Sequence, residues 1–240
     1  MSICQDILKR IEAGEKLLAV LIDPDKFILE NTQPFIEKVK ASIATHIFVG
    51  GSIVAENETD TLVKEIKKYA KLPVVLFPGD VTQITDKANA LLFLSLISGK
   101  NADYLIGKHI KAVSKLKDMD LEVIPTGYIL IESGKETAVE QVTQTKPLSR
   151  NNIKIIIDTA KAGELLGMKL MYLEAGSGAK LPLTKEIVSS VREELNIPLI
   201  VGGGIRTKTQ LEALHDSGAD MVVIGTAFED DASLFDELRK

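Results

Sequence analysis

Tryptophan is absent from the 240 residues, cysteine occurs once and histidine three times. A lone Cys4 closes no intramolecular disulfide, and His46, His109 and His215 are too scattered to build a zinc site with it. They also offer no nucleophile, histidine and acid arrangement. Basic charge does not dominate: 29 Lys and Arg stand against 34 Asp and Glu, a net charge of −5, with no long basic run to offset it. Nucleic acid is therefore not expected as a partner. Apolar runs such as Ala90–Leu94 are far too short to cross a membrane. Asp6, Lys9, Arg10 and Glu12 interrupt the stretch that a signal peptide would keep apolar. The expected compartment is the reducing cytoplasm.

What is present is core-forming material. Hydrophobic residues make up 45% and charged residues 26% of the chain, as in ordinary globular proteins. No linker or low-complexity tract divides the chain, so one domain over 1–240 is expected. Short apolar runs at 17–23, 46–50, 73–78, 90–96, 122–131, 169–175, 198–204 and 221–226 alternate with amphipathic segments. Those segments predict helices near 31–43, 58–70, 102–118, 150–167, 184–195, 207–217 and from 231 to the end, with an extra helix at 3–13 ahead of the first strand. Apolar runs without polar alternation suit parallel strands buried on both faces, and eight of them make an α/β fold of the (βα)8 TIM-barrel type. The third connection, 79–89, is too short for a regular barrel helix and is expected to be a loop or a single turn. An open doubly wound sheet is the alternative, but where its glycine-rich fingerprint should follow the first strand the chain has Asp23-Pro24-Asp25-Lys26.

Barrel active sites lie at the carboxyl ends of the strands. Gly203 and Gly204 follow the seventh run, Gly225 and Thr226 the eighth, and Gly176-Ser177-Gly178 the sixth. Glycine lets backbone N–H groups approach an anion, so these loops point to a phosphate; turn geometry alone is the alternative. Asp23 ends an apolar strand, and Ser52 ends the neighbouring one. Without a nearby histidine or thiolate, this oxygen pair suits Mg²⁺; otherwise Asp23 caps the turn begun by Pro24, and Ser52 caps a helix or faces solvent. Alternation along Tyr172-Leu173-Glu174 puts Tyr172 and Glu174 on the interior side. There Glu174 can accept a hydrogen bond from a substrate hydroxyl or take its proton, or else form a structural ion pair with a buried lysine.

The motifs DPDK at 23–26, FVGGS at 48–52, LFPGD at 76–80, SGKNADYLIG at 98–107, YLEAGSG at 172–178, VGGGIRT at 201–207 and IGTAFE at 224–229 span the chain. With them the sequence resembles the geranylgeranylglyceryl phosphate synthases, barrel prenyltransferases of ether-lipid synthesis, and their heptaprenylglyceryl phosphate relatives. The DPDK, GGS and YLEAGSG elements carry the specificity, whereas GGGI and IGT recur in many phosphate-binding barrels. The resemblance implies that Asp23 and Ser52 hold Mg²⁺. It implies that Tyr172, Leu173, Glu174, Ala175, Gly176, Ser177 and Gly178, with Gly203, Gly204, Gly225 and Thr226, bind sn-glycerol 1-phosphate. One departure is Leu21, where some members carry a lysine, so the cationic contact is missing or comes from elsewhere, with Lys26 the candidate.

The implied reaction moves a geranylgeranyl or similar polyprenyl group from its diphosphate to the 3-hydroxyl of sn-glycerol 1-phosphate. Asp23 acts through Mg²⁺, and Glu174 orients or deprotonates the hydroxyl. Apolar residues of the third and fourth strands and of 98–107 line the isoprenoid channel. The expected assembly is a homo-oligomer without a transmembrane segment, whose product partitions to membranes. Two competing classes share the glycine loops: another phosphate-binding barrel enzyme (isomerase, aldolase or lyase), which does not need a metal Asp23, and a non-catalytic phosphate-binding module, which does not need Glu174.

Overall fold

A computed structural model describes residues 2–230 and 233–239, with the side chains of Glu229 and Asp230 left out of the description. Eight parallel strands close into a barrel in chain order: β1 (Leu17–Ile22), β2 (His46–Val49), β3 (Val74–Leu76), β4 (Ala90–Leu96), β5 (Glu122–Leu130), β6 (Leu170–Glu174), β7 (Leu199–Gly202) and β8 (Met221–Ile224). β8 returns to β1 with Leu17 opposite Met221, so no sheet edge is left. The expected (βα)8 architecture is the observed one.

The uninterrupted apolar runs serve two cores at once. Leu17 and Ala19 point into the barrel with Phe48, Leu92, Tyr128 and Tyr172. Their neighbours Leu18 and Val20 point outward and pack with Ile47, Val49 and the helices. Successive side chains of a strand face opposite ways, so a strand between two cores must be apolar at every position.

The helices are α1 (Ile3–Glu12), α2 (Thr32–Ala41), α3 (Glu58–Tyr69), α4 (Lys108–Leu116), α5 (Ala138–Thr143), α6 (Ile153–Leu165), α7 (Lys185–Glu194), α8 (Lys208–Asp216), α9 (Thr226–Asp230) and α10 (Leu234–Glu237). Of the helix expected from 231 onward, Asp231, Ala232 and Lys240 lie outside the described residues, and the described part is α10. No helix among the described residues is long and apolar enough to cross a membrane. α1 closes the amino-terminal end of the barrel with Ile7, which is fully buried against the interior core. Its first N–H groups, on Ile3 and Cys4, donate to the Glu122 carboxylate at the start of β5, a favourable charge for a helix amino terminus. His46 sits at that same end with Nδ1 2.8 Å from the Thr45 hydroxyl. Burial, and secondarily Arg10, hold its pKa down to about 3, so it stays neutral.

Between β3 and β4 only a 3₁₀ turn, Val81–Gln83, stands where a barrel helix would be. Two contacts stabilise it. The Gln83 side chain is buried and pairs with the Gly51 backbone, its Nε2 donating to the carbonyl at 2.8 Å and its Oε1 accepting from the N–H at 3.3 Å. Lys108 of α4 reaches Asp80 at 2.5 Å and the Gly79 carbonyl at 2.9 Å. The space a third helix would fill becomes a groove, and Gln83 fixes the β2 loop beside it.

Candidate active site

A cleft of about 520 Å³ opens at the carboxyl ends of the strands and extends into that groove. Much of its lining is aliphatic and aromatic, among it Leu91, Phe93 and Leu94 of β4, Ile84, Tyr104 and Val142. Tyr104 belongs to a π-helical turn, Asp103–Gly107, that leads into α4, the kind of irregularity often found at functional positions. Its mouth is polar, and Asp23, Ser52, Glu174, Ser177, Gly178, Gly203, Gly204, Gly225 and Thr226 all border it. Tyr172, Leu173, Ala175 and Gly176 do not. They lie behind the wall, Leu173 facing the helices and Tyr172 in the barrel interior.

At the end of β1, the Asp23 carboxylate accepts the Asp25 N–H at 3.2 Å and meets Lys26 Nζ at 3.1 Å. The turn-capping role is thus present, and Lys26 brings a cation where Leu21 brings none. Gly51 is packed so closely that a Cβ there would collide with the Asp23 carboxylate, and Ser52 follows it into the cleft. No group of three or more His, Cys, Asp or Glu side chains forms a metal cage among the described residues. One carboxylate and one hydroxyl nonetheless fit Mg²⁺, which keeps much of its shell for water and phosphate oxygens.

Glu174 closes β6 and is buried, with 6% of its surface exposed. Gly176 donates its N–H to Oε1 at 2.5 Å, which the left-handed backbone of Gly176 (φ 103°) allows. Burial raises the carboxyl pKa to about 7; the Gly176 N–H and the Tyr172 hydroxyl oppose that rise only in part. No cation is among the groups that shift it, so a lysine ion pair does not account for this glutamate. The Tyr172 hydroxyl stands beside the carboxylate but falls short of regular hydrogen-bond geometry and has no other partner. It is held protonated by burial first and by Glu174 second. A buried carboxylate that borders the cleft and titrates near neutrality can accept a hydrogen bond from a hydroxyl group and deprotonate it. Tyr172 also stacks on Phe77, ring centroids 5.1 Å apart, with Tyr128 5.4 Å from Tyr172.

The anion side is built from three loops. Ser177 Oγ lies 3.1 Å from Thr226 Oγ1, tying the β6 loop to the start of α9. Gly203 and Gly204 hold left-handed backbones, φ 92° and 73°, and a Cβ on Gly203 would collide with Glu174. Gly225 differs. Its backbone is ordinary, and a Cβ there would first meet Leu21 at 3.4 Å.

Lys135, Thr137 and Arg206 border the same mouth, and sequence reasoning did not single them out. Lys135 Nζ would be 3.1 Å from a Cβ on Gly178, which puts a cation at the glycine loop. The signal that could have found this segment is Thr137-Ala138-Val139-Glu140. It is a capping box, with Thr137 accepting from the Glu140 N–H and Glu140 accepting from the Thr137 N–H, each at 3.2 Å.

Fold and cleft together define a (βα)8-barrel enzyme in which a polar, glycine-lined mouth opens into an apolar groove. The chain belongs to the PcrB family, whose family model matches residues 10–240. It is 53% identical over 235 residues to the geranylgeranylglyceryl phosphate synthase of Flavobacterium johnsoniae, covering 98% of this chain and 97% of that one. The corresponding synthase of Zunongwangia profunda is 54% identical over 223 residues, 93% of this chain and 95% of its own. Among solved structures, the (S)-3-O-geranylgeranylglyceryl phosphate synthase of Thermoplasma acidophilum, in complex with its substrate sn-glycerol-1-phosphate, superposes with a TM-score of 0.93. It is 33% identical, with 99% of this chain and 96% of that chain covered.

Proposed function

We propose that this chain transfers a geranylgeranyl group, or a similar polyprenyl group, from its diphosphate to the 3-hydroxyl of sn-glycerol 1-phosphate in the cytoplasm, acting as a homo-oligomer. The observation that carries this reading is the junction of two environments at Glu174: an apolar groove for a hydrocarbon chain ends where a phosphate-type mouth begins. The similarity to synthases of this name over nearly the full chain supports it.

In the reaction the allylic C–O bond breaks and diphosphate leaves. The acceptor hydroxyl oxygen forms the new ether bond, and its proton passes to Glu174. Glu174 orients the acceptor, with the buried Tyr172 hydroxyl beside its carboxylate, while the loops at Ser177, Gly203, Gly204, Gly225 and Thr226, with Lys135 beside them, hold its phosphate. Asp23 and Ser52 would hold Mg²⁺, which when bound neutralises charge on the departing diphosphate. The groove walls shield the developing allylic charge from water. Incubation with labelled sn-glycerol 1-phosphate and prenyl diphosphates of several lengths should move the label into an organic extract. Label that stays in the aqueous phase with every donor refutes the reading.

The phosphate assignment has its own test at Gly225, which the ordinary backbone makes tractable. Gly225→Val should raise the sn-glycerol 1-phosphate KM by roughly tenfold or more, about 1.4 kcal/mol of binding, with a smaller change for the prenyl diphosphate. Equal increases for both substrates, or a lowered melting temperature, would point to a folding defect instead. Gly203 and Gly204 are poor probes, since their left-handed backbones strain any side chain.

A further inference from the structure

The last ladder bonds at the carboxyl end of β2 run from the Gly50 N–H to the Ile22 carbonyl, 3.1 Å, and from the Phe77 N–H to the Val49 carbonyl, 2.8 Å. Gly51 lies beyond them, and no strand among the described residues partners its backbone. The Gln83 carboxamide does. It carries a donor and an acceptor side by side, as a neighbouring strand would, and meets both the carbonyl and the N–H of Gly51. Only 2% of Gln83 is exposed. The turn that carries it is anchored from α4, where Lys108 holds Gly79 and Asp80, and Lys115 Nζ lies 3.3 and 3.4 Å from the Val81 and Thr82 carbonyls. Glycines leave no slack around the residue that Gln83 holds. A Cβ on Gly51 would run into the Asp23 carboxylate, and one on Gly79 would run into the Gly51 and Ser52 carbonyls. Gly51 is thus wedged between the Asp23 carboxylate and the β3 loop, with Ser52 next to it in the chain.

We propose that Gln83 is a positioning residue for the divalent cation: it fixes Gly51, and through Gly51 it holds the Asp23 carboxylate and the Ser52 hydroxyl in a fixed relation to each other. The proposal rests on the reading of Asp23 and Ser52 as the Mg²⁺ site. Mg²⁺ demands near-octahedral geometry, so two oxygens on separate loops serve it only if the loops keep their spacing. A (βα)8 barrel packs a helix outside each strand. After β3 a 3₁₀ turn stands instead, and a single buried side chain on that turn restrains the neighbouring rim loop. A purely structural role predicts something else: loss of Gln83 would then act like loss of any buried hydrogen bond in this connection. Thr85 offers the comparison. It is buried two residues further on, and its hydroxyl donates to Asp60 of α3 at 2.6 Å rather than to the β2 loop.

The test titrates Mn²⁺, a paramagnetic substitute for Mg²⁺, into the whole protein without substrates and reads free Mn²⁺ by electron paramagnetic resonance. Binding of sn-glycerol 1-phosphate is measured separately by calorimetry. Gln83→Met keeps the length of the side chain and loses both bonds to Gly51. It should raise the Mn²⁺ Kd about tenfold, the lower end of the usual cost of losing a residue that orients a metal ligand, and change the sn-glycerol 1-phosphate Kd by less than about twofold. Thr85→Val, which removes a buried hydroxyl from the same connection, should leave the Mn²⁺ Kd unchanged. Gln83→Asn keeps the amide but falls one methylene short of Gly51; it is held to the same criteria and replaces the methionine variant should that one not fold. Undiminished Mn²⁺ binding in a folded Gln83 variant overturns the proposal. So does an equal loss in Thr85→Val, or failure of both Gln83 variants to fold, since the side chain then serves the barrel and not the site. If the unaltered protein binds no Mn²⁺, or Asp23→Asn binds it equally well, the metal reading itself falls and the proposal with it. If Asp23→Asn loses Mn²⁺ while the Gln83 variants keep it, the metal site stands and only the positioning role is refuted.

Discussion

Asp23→Asn is expected to lower turnover by about 10²-fold or more while leaving the melting temperature nearly unchanged. The change keeps volume and an oxygen acceptor for the Asp25 N–H, so the turn after β1 persists. It removes the ion pair with Lys26, but that lysine is 55% exposed, and such pairs contribute about 0–1 kcal/mol. What is lost is the negative charge at the end of β1, which in our reading holds Mg²⁺ together with Ser52. Two measurements check this: steady-state turnover of the variant with saturating substrates, and turnover of the unaltered protein in excess chelator followed by added Mg²⁺. A fully active variant, or an unaltered protein indifferent to chelator, would remove the metal from the mechanism. An inactive variant that also melts much lower would mean that Asp23 matters through its turn.

The barrel was legible because its strands are buried on both faces. A run such as LLAVLI carries no polar alternation, and eight such runs at barrel spacing leave few architectures. The short third connection was legible by length. What stabilises it was not, because Gln83 reaches Gly51 across 32 positions and Lys108 reaches Asp80 across 28. α5 has six residues, too few for a 3.6-residue period to show, and only its capping box marked it. Alternation put Tyr172 on the interior side but did not give its depth. Two residues before the end of β6, the ring enters an aromatic stack rather than the cleft wall. Lys135 and Arg206 were invisible for a related reason: a cation on a loop becomes part of a site only when the loop folds over it. Gly204 and Gly225 look alike in the sequence, and only φ separates the strained position from the tolerant one.

Glu174→Gln is expected to lower turnover by about 10²-fold or more, the usual scale for removing a general base, and to do so without unfolding the protein. Gln retains an oxygen for the Gly176 N–H and a shape that fits beside Tyr172, so acceptor binding should change less than turnover. With a pKa raised to about 7, mainly by burial, the carboxyl is protonated and ineffective as a base in mild acid. Turnover of the unaltered protein should therefore fall on the acid side with a midpoint near 7, and the residual turnover of the variant should lack that limb. Stability runs in the opposite sense. The folded pKa lies above the unfolded value near 4.5, so the stability this group contributes is fully present below about 4.5 and is lost as pH rises through about 7. Gln mimics the protonated form at every pH, and the variant should melt as high as the unaltered protein in acid and somewhat higher at pH 8. A buried lysine partner would predict the reverse, a large drop in melting temperature from an uncompensated cation with near-normal turnover in the folded fraction. Full turnover in a stable variant, with the acid limb still present, would show that another group takes the proton and that Glu174 only shapes the pocket.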